Sequence, residues 1–447
     1  MQCRLPRLRS LYRIALMAFF QIGLMALLPI ALTALAGCSG LGPSLPEGPE
    51  SRKRPAAPAP CMPRFPLEQG WLGGDSAYSV SLEPLADPSR DAPIETIPTL
   101  WLFGDSFIGR SGATDRRGST FVHNSVARSR CRPDGHFEID YGWGRDPEGE
   151  PAAVFDPGVE DRHWWPFDGF VLDGVLHVGL LRVASTGDPT APFRPVGVDL
   201  GRIANPRDAV SAWELEVRPL SRGDVALPAG AFWRDGGHLY LFGFFREPSG
   251  RHPRFLVRLP LKALRRFEAP LSAELETLAP GGEWLPGLAP GSAEILMADD
   301  ATEMSVGRDP ATGLLRAVYS FPYQSGAGRE PLPSSVVYTR TAKRPEGPWS
   351  EPRALFVIPD LREDAAEGHD PAKRCYGAKA HPRFGTPARM VVTYVCNLMP
   401  LPGLDPHEVM GRLLDDLGLY RPRVVSWPRP GQPASRDGSR EEVAERP

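Results

Sequence analysis

Five short apolar segments recur along the chain, and their first residues lie 76, 63, 76 and 75 positions apart. The segments are rich in aromatic and branched side chains, which favour extended strands. They are Leu100–Asp105, Leu176–Leu181, Leu239–Phe244, Leu315–Ser320 and Met390–Val395. Such regular self-similarity predicts a fold built from one repeated unit.

Each of these segments has a further short segment before it and an apolar stretch after it. The preceding segments are Asp75–Val80, Trp165–Phe170, Gly230–Trp233, Glu303–Val306 and Lys379–Pro382. The following stretches include Phe255–Leu259 and Ser335–Thr339. Three or four strands in each of five repeats, with little helical periodicity, predict an all-β fold. We expect a five-bladed β-propeller over residues 70–427.

The C-terminal part of the chain contains the clearest helical pattern. From Asp405 to Leu417, apolar residues recur at helical spacing, at Met410, Leu413, Leu414 and Leu417. One short helix is therefore expected there. The strand Leu419–Trp427 should complete the ring or pack on its rim, and residues 428–447, rich in Pro, Arg and Glu, are predicted to be a disordered tail.

Composition supports many short strands and excludes one class of partner. The 447 residues include 46 Gly and 51 Pro, roughly double the usual share of about 12% for the two together. So many chain-breaking residues favour turns over long helices. The formal net charge of −3 provides no basic surface for nucleic acid. We expect a monomer.

The N-terminus resembles a bacterial lipoprotein signal. A basic region with Arg4 and Arg13 precedes the uncharged stretch Ile14–Ala36, which ends in Leu35-Ala36-Gly37-Cys38. The prediction is a signal peptide over residues 1–37 and lipidation of Cys38, which would anchor the protein to a membrane. The alternative is an uncleaved transmembrane anchor, because 23 uncharged residues can span a bilayer.

The residues after Cys38 indicate where the protein is delivered and how it is attached. Ser39 rather than Asp follows the cysteine, which by resemblance to the known sorting rule suggests the outer membrane or cell surface. Residues 38–69 are rich in Pro, Gly, Ser and Ala, so we expect a flexible tether.

Four cysteines remain after Cys3 and Cys38 are set aside, and an oxidising compartment would allow them to pair. A hairpin centred on a turn at Gly385-Thr386 pairs positions whose numbers sum to 771, which brings Cys375 opposite Cys396. A Cys61–Cys131 disulfide follows by elimination. The alternative is four free buried thiols.

The first strands of propeller blades line a central axis, so polar residues on the preceding segments should converge in one cleft. The candidates there are Asp75, Asp168, Glu303 and His381, with Trp164 and Trp165. Asp105 joins them from the end of the following strand of the first repeat. Carboxylates in an aromatic cleft suit glycoside cleavage, which needs an acid and a base or nucleophile. Alternatively, Asp75, Asp105 and Asp168, each beside a glycine, are turn residues. In the same way, Glu303 would be a solvated loop residue and His381 a hydrogen-bonded histidine at a strand end.

Several ordered motifs together resemble a bacterial domain-of-unknown-function family of five-bladed propellers. They are Trp101–Gly109, Val122–Ser125, Trp165–Gly169, Ala342–Ser350, Ala378–Pro382 and Tyr394–Asn397. Some members of that family act as endo-D-arabinanases, and the family is similar to arabinanase-type glycoside hydrolases. The resemblance runs from about Gly70 to Trp427.

The resemblance implies roles for particular residues. The paired catalytic carboxylates fall on Asp75 and Asp105, while His123 and Asn124 would bind sugar hydroxyls, unless they are a structural hydrogen-bonded pair. Trp164 and Trp165 would form a stacking platform for a sugar ring, with plain packing as the alternative. Related propellers also allow a calcium ion in the channel, held by water and by His381. The sequence itself contains no cluster with metal-ligand spacing and predicts no cofactor.

Two functions from different classes follow. The first is a surface glycoside hydrolase that cleaves a furanoside polysaccharide such as arabinan. The second is a non-catalytic glycan-binding lipoprotein of the envelope. The Gly104-Asp105-Ser106 triplet also resembles the nucleophile block of ester hydrolases. Those enzymes need interleaved helices, which the pattern does not predict, and a late Asp-x-x-His pair, for which Asp405-Pro406-His407 has the wrong spacing.

Overall fold

The structure is a computed structural model. It describes residues 61–82, 98–132, 135–187, 193–268, 270–298, 301–321, 336–361, 370, 372–399 and 403–429. Within these ranges, no helix is long and apolar enough to cross a membrane. The predicted signal peptide, Cys38, the first part of the tether and all but two residues of the predicted tail lie outside them.

The described chain is built mainly of strands. The first thirteen are β1 (Trp71–Gly74), β2 (Tyr78–Ser81), β3 (Thr99–Phe103), β4 (Ser106–Ile108), β5 (Thr120–Val122), β6 (Ser125–Cys131), β7 (Phe137–Gly142), β8 (Gly144–Arg145), β9 (Pro151–Ala152), β10 (Arg162–Leu172), β11 (Val175–Ser185), β12 (Phe193–Ile203) and β13 (Leu215–Arg222). The remaining twelve are β14 (Ala226–Asp235), β15 (His238–Phe245), β16 (Arg254–Pro260), β17 (Glu276–Leu278), β18 (Trp284–Pro286), β19 (Ser305–Arg308), β20 (Leu315–Ser320), β21 (Val336–Ala342), β22 (Arg353–Val357), β23 (Lys373–Ala380), β24 (Arg389–Leu398) and β25 (Pro422–Pro428).

Among the described residues, five antiparallel sheets of three to five strands follow one another along the chain. Their strand orders are β2-β3-β6-β7 in sheet I, β10-β11-β12-β13 in sheet II, β14-β15-β16-β17-β18 in sheet III, β19-β20-β21-β22 in sheet IV and β23-β24-β25 in sheet V. Two smaller sheets, β1-β4-β5 and β8-β9, accompany sheet I. The all-β prediction is confirmed.

The first strands of the five sheets contact one another in chain order: β2 with β10, β10 with β14, β14 with β19, and β19 with β23. Sheet V then returns to sheet I, where Ser79 Oγ lies 2.7 Å from His381 Nδ1 and Tyr376 donates to Asp75 over 2.8 Å. The preceding segments of the sequence pattern lie on these first strands or in the turns at their ends.

The five recurring apolar segments form the second strands, β3, β11, β15, β20 and β24. Every residue of β3 and β20 is buried. A strand covered on both faces must be apolar nearly throughout, which explains why these segments read as continuous runs rather than as an alternation. Leu100, Leu176 and Leu239 are completely buried and belong to one core cluster that spans sheets I to III.

The predicted C-terminal helix is present. Helix α1 (Leu261–Arg266) is a short connection after β16, and helix α2 (Pro406–Asp415) begins at the capping residue Asp405, whose side chain accepts from the His407 N–H. Val409 and Leu413 are the buried residues of α2. The following strand, β25, pairs with β24 and forms the outer strand of sheet V.

Arg116 fixes the C-terminal end of α2 to β1. Its guanidinium donates to the carbonyl of Leu72 over 2.8 Å and to those of Leu413 and Asp416 over 2.7 Å. It also donates to the Leu419 carbonyl. A cation on the unpaired carbonyls of a helix end satisfies them and complements the helix dipole.

Both predicted disulfides are present. Cys375 lies opposite Cys396 in the β23–β24 register, as the hairpin prediction requires. The tip of the hairpin differs, because a 3₁₀ turn at Pro382–Phe384 precedes a turn in which Thr386 and Arg389 exchange backbone hydrogen bonds. A bulge between Tyr376 and Lys379 absorbs the change of register.

The Cys61–Cys131 disulfide shows that the predicted tether extends too far. Cys61 and Phe65 are buried, and the Phe65 ring packs edge-on against Trp101 with ring centroids 4.9 Å apart. Residues 61–69 therefore pack on sheet I. At the other end, the predicted tail begins too early, since Pro428 ends β25 and Arg429 is buried.

Removing the Cys61–Cys131 disulfide should destabilise the protein strongly. The bond closes a separation of 70 residues, against 21 for Cys375–Cys396. We expect Cys61→Ala/Cys131→Ala to lower the free energy of unfolding by about 2–5 kcal/mol. The matched pair Cys375→Ala/Cys396→Ala should cost about 1 kcal/mol less, because a shorter loop restricts the unfolded chain less. Urea denaturation without reductant measures both, and an unchanged midpoint for the first pair would contradict the expectation.

Candidate active site

Asp75 lies in a strained turn between β1 and β2. The two residues after it, Ser76 and Ala77, have φ values of 68° and 52°, which non-glycine residues rarely adopt. The turn is also tied to the end of β3: Asp75 N–H donates to the Asp105 carbonyl over 3.3 Å, and Gly104 N–H donates to the Asp75 carbonyl over 3.2 Å. Such strain persists only where the surrounding structure enforces it, and it clusters at functional sites.

The Asp75 carboxyl is enclosed by two tyrosines and a glycine. Its Oδ2 accepts from Tyr376 over 2.8 Å and from Tyr420 over 3.3 Å. A Cβ atom at Gly104 would lie 2.4 Å from Oδ1, so a side chain there would displace the carboxyl. Burial, followed by the charges of Asp105 and Glu303, raises the pKa of Asp75 to about 8, against the opposing effects of Tyr376 and Lys379. Asp75 is therefore mainly protonated at neutral pH.

Asp105, directly after β3, has a different environment. Its Oδ1 accepts from Trp165 Nε1–H over 2.8 Å and lies 3.2 Å from His123 Nδ1. Sheet I thus supplies the carboxylate, the small β1-β4-β5 sheet positions His123, and sheet II supplies Trp165. Two side-chain nitrogens therefore lie against one oxygen of Asp105 and fix the direction of its carboxyl group.

Aromatic rings cover this side of the site. His123 stacks on His163 with centroids 3.7 Å apart and planes 8° from parallel. Phe193 meets both His163 and Trp165 edge-on. Burial and the neighbouring His123 lower the pKa of His163 to about 2, so this ring is neutral where it stacks on His123.

Asp168 lies inside β10, at a bulge between Phe167 and Gly169, and not in a turn as the alternative interpretation held. Its oxygens accept backbone N–H groups of Gly169 over 2.8 Å and of Phe232 over 2.6 Å, which joins sheets II and III. Burial raises the pKa of Asp168 to about 7, although these two hydrogen bonds and the charge of Lys379 act in the opposite direction.

Glu303, just before β19, forms an ion pair with Lys379 of β23. Lys379 Nζ lies 2.5 Å from Glu303 Oε2, donates to the Gly377 carbonyl over 2.8 Å, and sits 4.3 Å from the centroid of the Tyr78 ring. The Lys379 side chain is only 1% exposed, whereas that of Glu303 is 26% exposed. The Glu303 side chain is therefore partly accessible to solvent, and the buried lysine supports it from the protein interior.

His381 does not have the environment of a metal ligand or a sugar ligand. Its Nδ1 lies 2.7 Å from Ser79 Oγ, its Nε2 lies 2.7 Å from Thr393 Oγ1, and the ring is buried. Burial and the charge of Lys379 lower the pKa of His381 to about 3, so the ring is neutral. Because both nitrogens already have partners, His381 does not fit the expected role at a channel calcium ion. Within the described ranges, no group of three or more His, Cys, Asp or Glu side chains could hold a metal ion.

Two further predicted ligands also lie outside the cleft. Asn124 is 0% exposed; its amide donates to the carbonyls of Phe155 and Trp164 and accepts from Phe155 N–H. Trp164 is buried and donates to Asp199 over 2.9 Å. Successive strand residues point to opposite faces, so Trp165 reaches the site while Trp164 packs in the core. The sugar-binding prediction therefore does not fit Asn124 or Trp164.

Three residues of the site were missed at the level of sequence: Tyr376, Lys379 and Tyr420. The charge of Lys379, within the otherwise uncharged stretch 375–380 at the end of β23, was the one signal available, because a buried strand rarely carries an unpaired charge. The tyrosines gave no signal, since the fold alone brings Tyr376 and Tyr420 to the same oxygen of Asp75.

The site contains two carboxyl groups whose environments suit them to act as an acid and as a base. Asp75 and Asp105 adjoin through their backbones, yet desolvation and neighbouring negative charges raise the pKa of Asp75, whereas the Asp105 carboxyl is held by Trp165 and His123. Carboxyl groups whose environments differ in this way can take opposite roles in proton transfer. Glu303 and Asp168 add two further acidic groups to the same region, both within the field of Lys379.

Comparison with known families gives one match. Residues 65–257, less than half of the chain, match a family described as a domain of unknown function (DUF5005). Curated protein sequences give no match.

Solved structures show a similar fold. A Bacteroides ovatus protein provisionally described as a hydrolase aligns with a TM-score of 0.50 and 17% identity, over 80% of this chain and 86% of that one. An endo-arabinase from Bacteroides thetaiotaomicron aligns with a TM-score of 0.39 and 12% identity, over 83% and 99% of the two chains. A Cellvibrio cellulosa α-L-arabinanase, solved with arabinohexaose, aligns with a TM-score of 0.38 and 12% identity, over 80% and 95%. The predicted resemblance to a domain-of-unknown-function family is confirmed over residues 65–257, and the alignment with the Bacteroides ovatus protein shows a similar fold.

The raised pKa of Asp75 should make stability depend on pH. The folded chain holds this proton up to about pH 8, whereas the unfolded chain releases it near the ordinary pKa of 3.8. The free energy of unfolding of the wild type should therefore fall, relative to that of Asp75→Asn, as the pH rises from 3.8 to about 8, and the difference should then level off. Denaturant titrations at successive pH values measure this difference.

Asp415→Asn is the matched control for this measurement. The exposed Asp415 accepts a hydrogen bond from Arg117, which lowers the pKa of its carboxyl, so its contribution to stability is lost only as the pH falls below the ordinary value of 3.8. A constant difference between wild type and Asp75→Asn from pH 4 to pH 8 would show that the Asp75 carboxyl is not enclosed as described.

Proposed function

We propose that the protein is a glycoside hydrolase that cleaves a furanoside polysaccharide, with Asp75 and Asp105 as the catalytic pair. The observation that carries this proposal is the contrast between two adjoining carboxyl groups, one enclosed and protonated and the other held by polar side chains. Glycoside cleavage requires such a division between a proton donor and a carboxylate.

We also infer that sheets I to V are the blades of a five-bladed propeller. The chain of contacts between the first strands, together with the return from sheet V to Ser79 and Asp75 of sheet I, supports this reading. In that architecture the open end of the axis is the natural place for an extended polymer, since several blades can each supply a contact.

The chemical roles of Asp75 and Asp105 follow from the groups that surround each carboxyl. Asp75 gives its proton to the glycosidic oxygen as the bond from that oxygen to the anomeric carbon breaks, and the bonding electrons leave with the oxygen. Asp105 then either removes a proton from the water that attacks the anomeric carbon or attacks that carbon itself, forming an ester that water later hydrolyses. Trp165 offers an aromatic face beside this carboxylate, where a sugar ring can stack.

The choice of a furanoside polymer, and of endo-acting cleavage of D-arabinan in particular, rests on the resemblance of the motifs. His123, Glu303 and Asp168 supply polar groups next to the pair and are the candidates for holding sugar hydroxyls. The ligand is accordingly a polysaccharide, and the chemistry needs no cofactor.

Asp75→Asn and Asp105→Asn should each lower the release of reducing ends by roughly 10²-fold or more, because an amide can neither transfer the proton nor act as the base. The experiment incubates the soluble domain with arabinans and other envelope glycans and follows product size. Asp173→Asn, in the exposed turn between β10 and β11, is the matched control and should retain full activity.

The outcomes separate the hydrolase from a glycan-binding protein. Full activity of both variants, with unchanged thermal stability, would overturn the catalytic assignment. Binding of a polysaccharide without turnover by the wild type would instead support the non-catalytic envelope lipoprotein.

We further propose that the protein is a lipoprotein of the outer membrane or cell surface, anchored through Cys38. The support is the sequence of the signal and its cysteine, followed by a stretch rich in Pro and Gly. Cys38→Ser should abolish incorporation of a labelled fatty acid and release the protein from the membrane fraction. Continued labelling of Cys38→Ser would exclude this site of lipidation.

A further inference from the structure

Lys379 is a buried cation in a region dominated by carboxyl groups. Its side chain is 1% exposed, and its ammonium contacts Glu303, the Gly377 carbonyl and the face of Tyr78. Burying a lone ammonium is costly, so a lysine in such a position must be compensated by its partners. Neither the catalytic pair nor its aromatic cover assigns this lysine a role.

A bulge in β23 determines where the Lys379 side chain lies. The bulge in β23 lies between Tyr376 and Lys379, and Gly377 inside it has a φ of 68°. A Cβ atom on Gly377 would lie 3.2 Å from Lys379 Nζ and 3.3 Å from Glu303 Oε2, tighter than ordinary contact. The bulge thus lets one strand of sheet V reach two sites: Tyr376 reaches Asp75, and Lys379 reaches Glu303.

We propose that Lys379 is a positioning residue of the cleft, which holds the Glu303 carboxylate in place and offsets its charge so that Asp75 remains a competent proton donor. The proposal rests on the proposed function and deepens it. Lys379 acts through Glu303 and through its field on Asp75, and it does not itself contact the reacting atoms.

Negative groups surround Asp75, so a positive charge is needed to limit the rise of its pKa. Asp105 and Glu303 both favour the protonated form of Asp75, and the buried tyrosines Tyr376 and Tyr420 donate to it while their own pKa values are raised by burial. Lys379 is the cation that acts in the opposite direction on Asp75. An acid whose pKa is raised far above the working pH is a poor donor, so an offset of the Glu303 charge favours catalysis.

Three variants test the proposal by the direction of their effects on the pH profile of kcat/KM. Deprotonation of Asp75 should set the alkaline limb. Lys379→Met leaves the Glu303 charge uncompensated and should move that limb to higher pH by roughly one unit. Glu303→Gln should move it to lower pH, and the double variant should return it close to that of the wild type, because the two charges are removed together.

Arg258→Met is the matched control. Arg258 forms a comparable ion pair with Glu276, over 2.6 Å, between β16 and β17 of sheet III. This variant should leave the alkaline limb unchanged. Thermal melts of all the variants establish that each is folded. If Lys379→Met is unstable, the pH profiles of Glu303→Gln and of the double variant still show whether removing each charge moves the alkaline limb in the expected direction.

If Lys379 has a purely structural role, a different result is expected. Loss of activity or stability in Lys379→Met without movement of the alkaline limb, or shifts of equal sign in Lys379→Met and Glu303→Gln, would overturn the proposal. Titration of the ¹³C-labelled Asp75 carboxyl by NMR, identified by its loss in Asp75→Asn, should show the same ordering without substrate. Inactivity of the wild type towards glycans would therefore count against the proposed function, while the titration would still decide the role of Lys379.

Discussion

The central constraint on this structure is that the first strands of neighbouring sheets contact one another, so the polar residues at their ends share a small and partly buried space. Asp75, Asp105, Asp168 and Glu303 reach it from sheets I, II and IV, and Lys379 reaches it from sheet V. In water each carboxyl would ionise independently. Here Asp105 and Glu303 raise the pKa of Asp75, and Lys379 lowers the pKa values of Asp75 and Asp168, because burial removes the solvent that would screen these charges. The distribution of protons in the cleft is thus a consequence of how the sheets pack.

Backbone features that exclude side chains allow this close approach. The Asp75 turn contains two residues at positive φ, Gly104 leaves the space that the Asp75 carboxyl occupies, and Gly377 leaves the space between Lys379 and Glu303. The supporting elements come from distant parts of the chain. The Cys375–Cys396 disulfide fixes the strand that bears Tyr376, and Arg116 secures the end of α2 shortly before Tyr420. Strain at the turn is thereby enforced by contacts outside it.

Much of the fold could be predicted because its signals are local. The repeated apolar segments mark the second strands, since a strand covered on both faces must be apolar along its length. The Cys375–Cys396 pairing followed from counting along one hairpin, although its tip is shaped differently and a bulge restores the register. The limits of the folded region were less predictable. The segment with Cys61 and Phe65 has the composition of a tether, yet a disulfide and a contact with Trp101 hold it on sheet I.

The sequence by itself determined the strand repeats, the disulfide pairs and the residue types that converge at one end of the sheets, because each depends on periodicity or spacing within short stretches. Only the tertiary structure decided which of those residues face the cleft. Trp165 faces it and Trp164 does not, and the ring nitrogens of His381 contact hydroxyls instead. The tertiary structure also places Tyr376 and Tyr420 on the Asp75 carboxyl and Lys379 on Glu303. The physical reason is that the face of a strand residue changes with every bulge, and contacts between sheets join residues hundreds of positions apart.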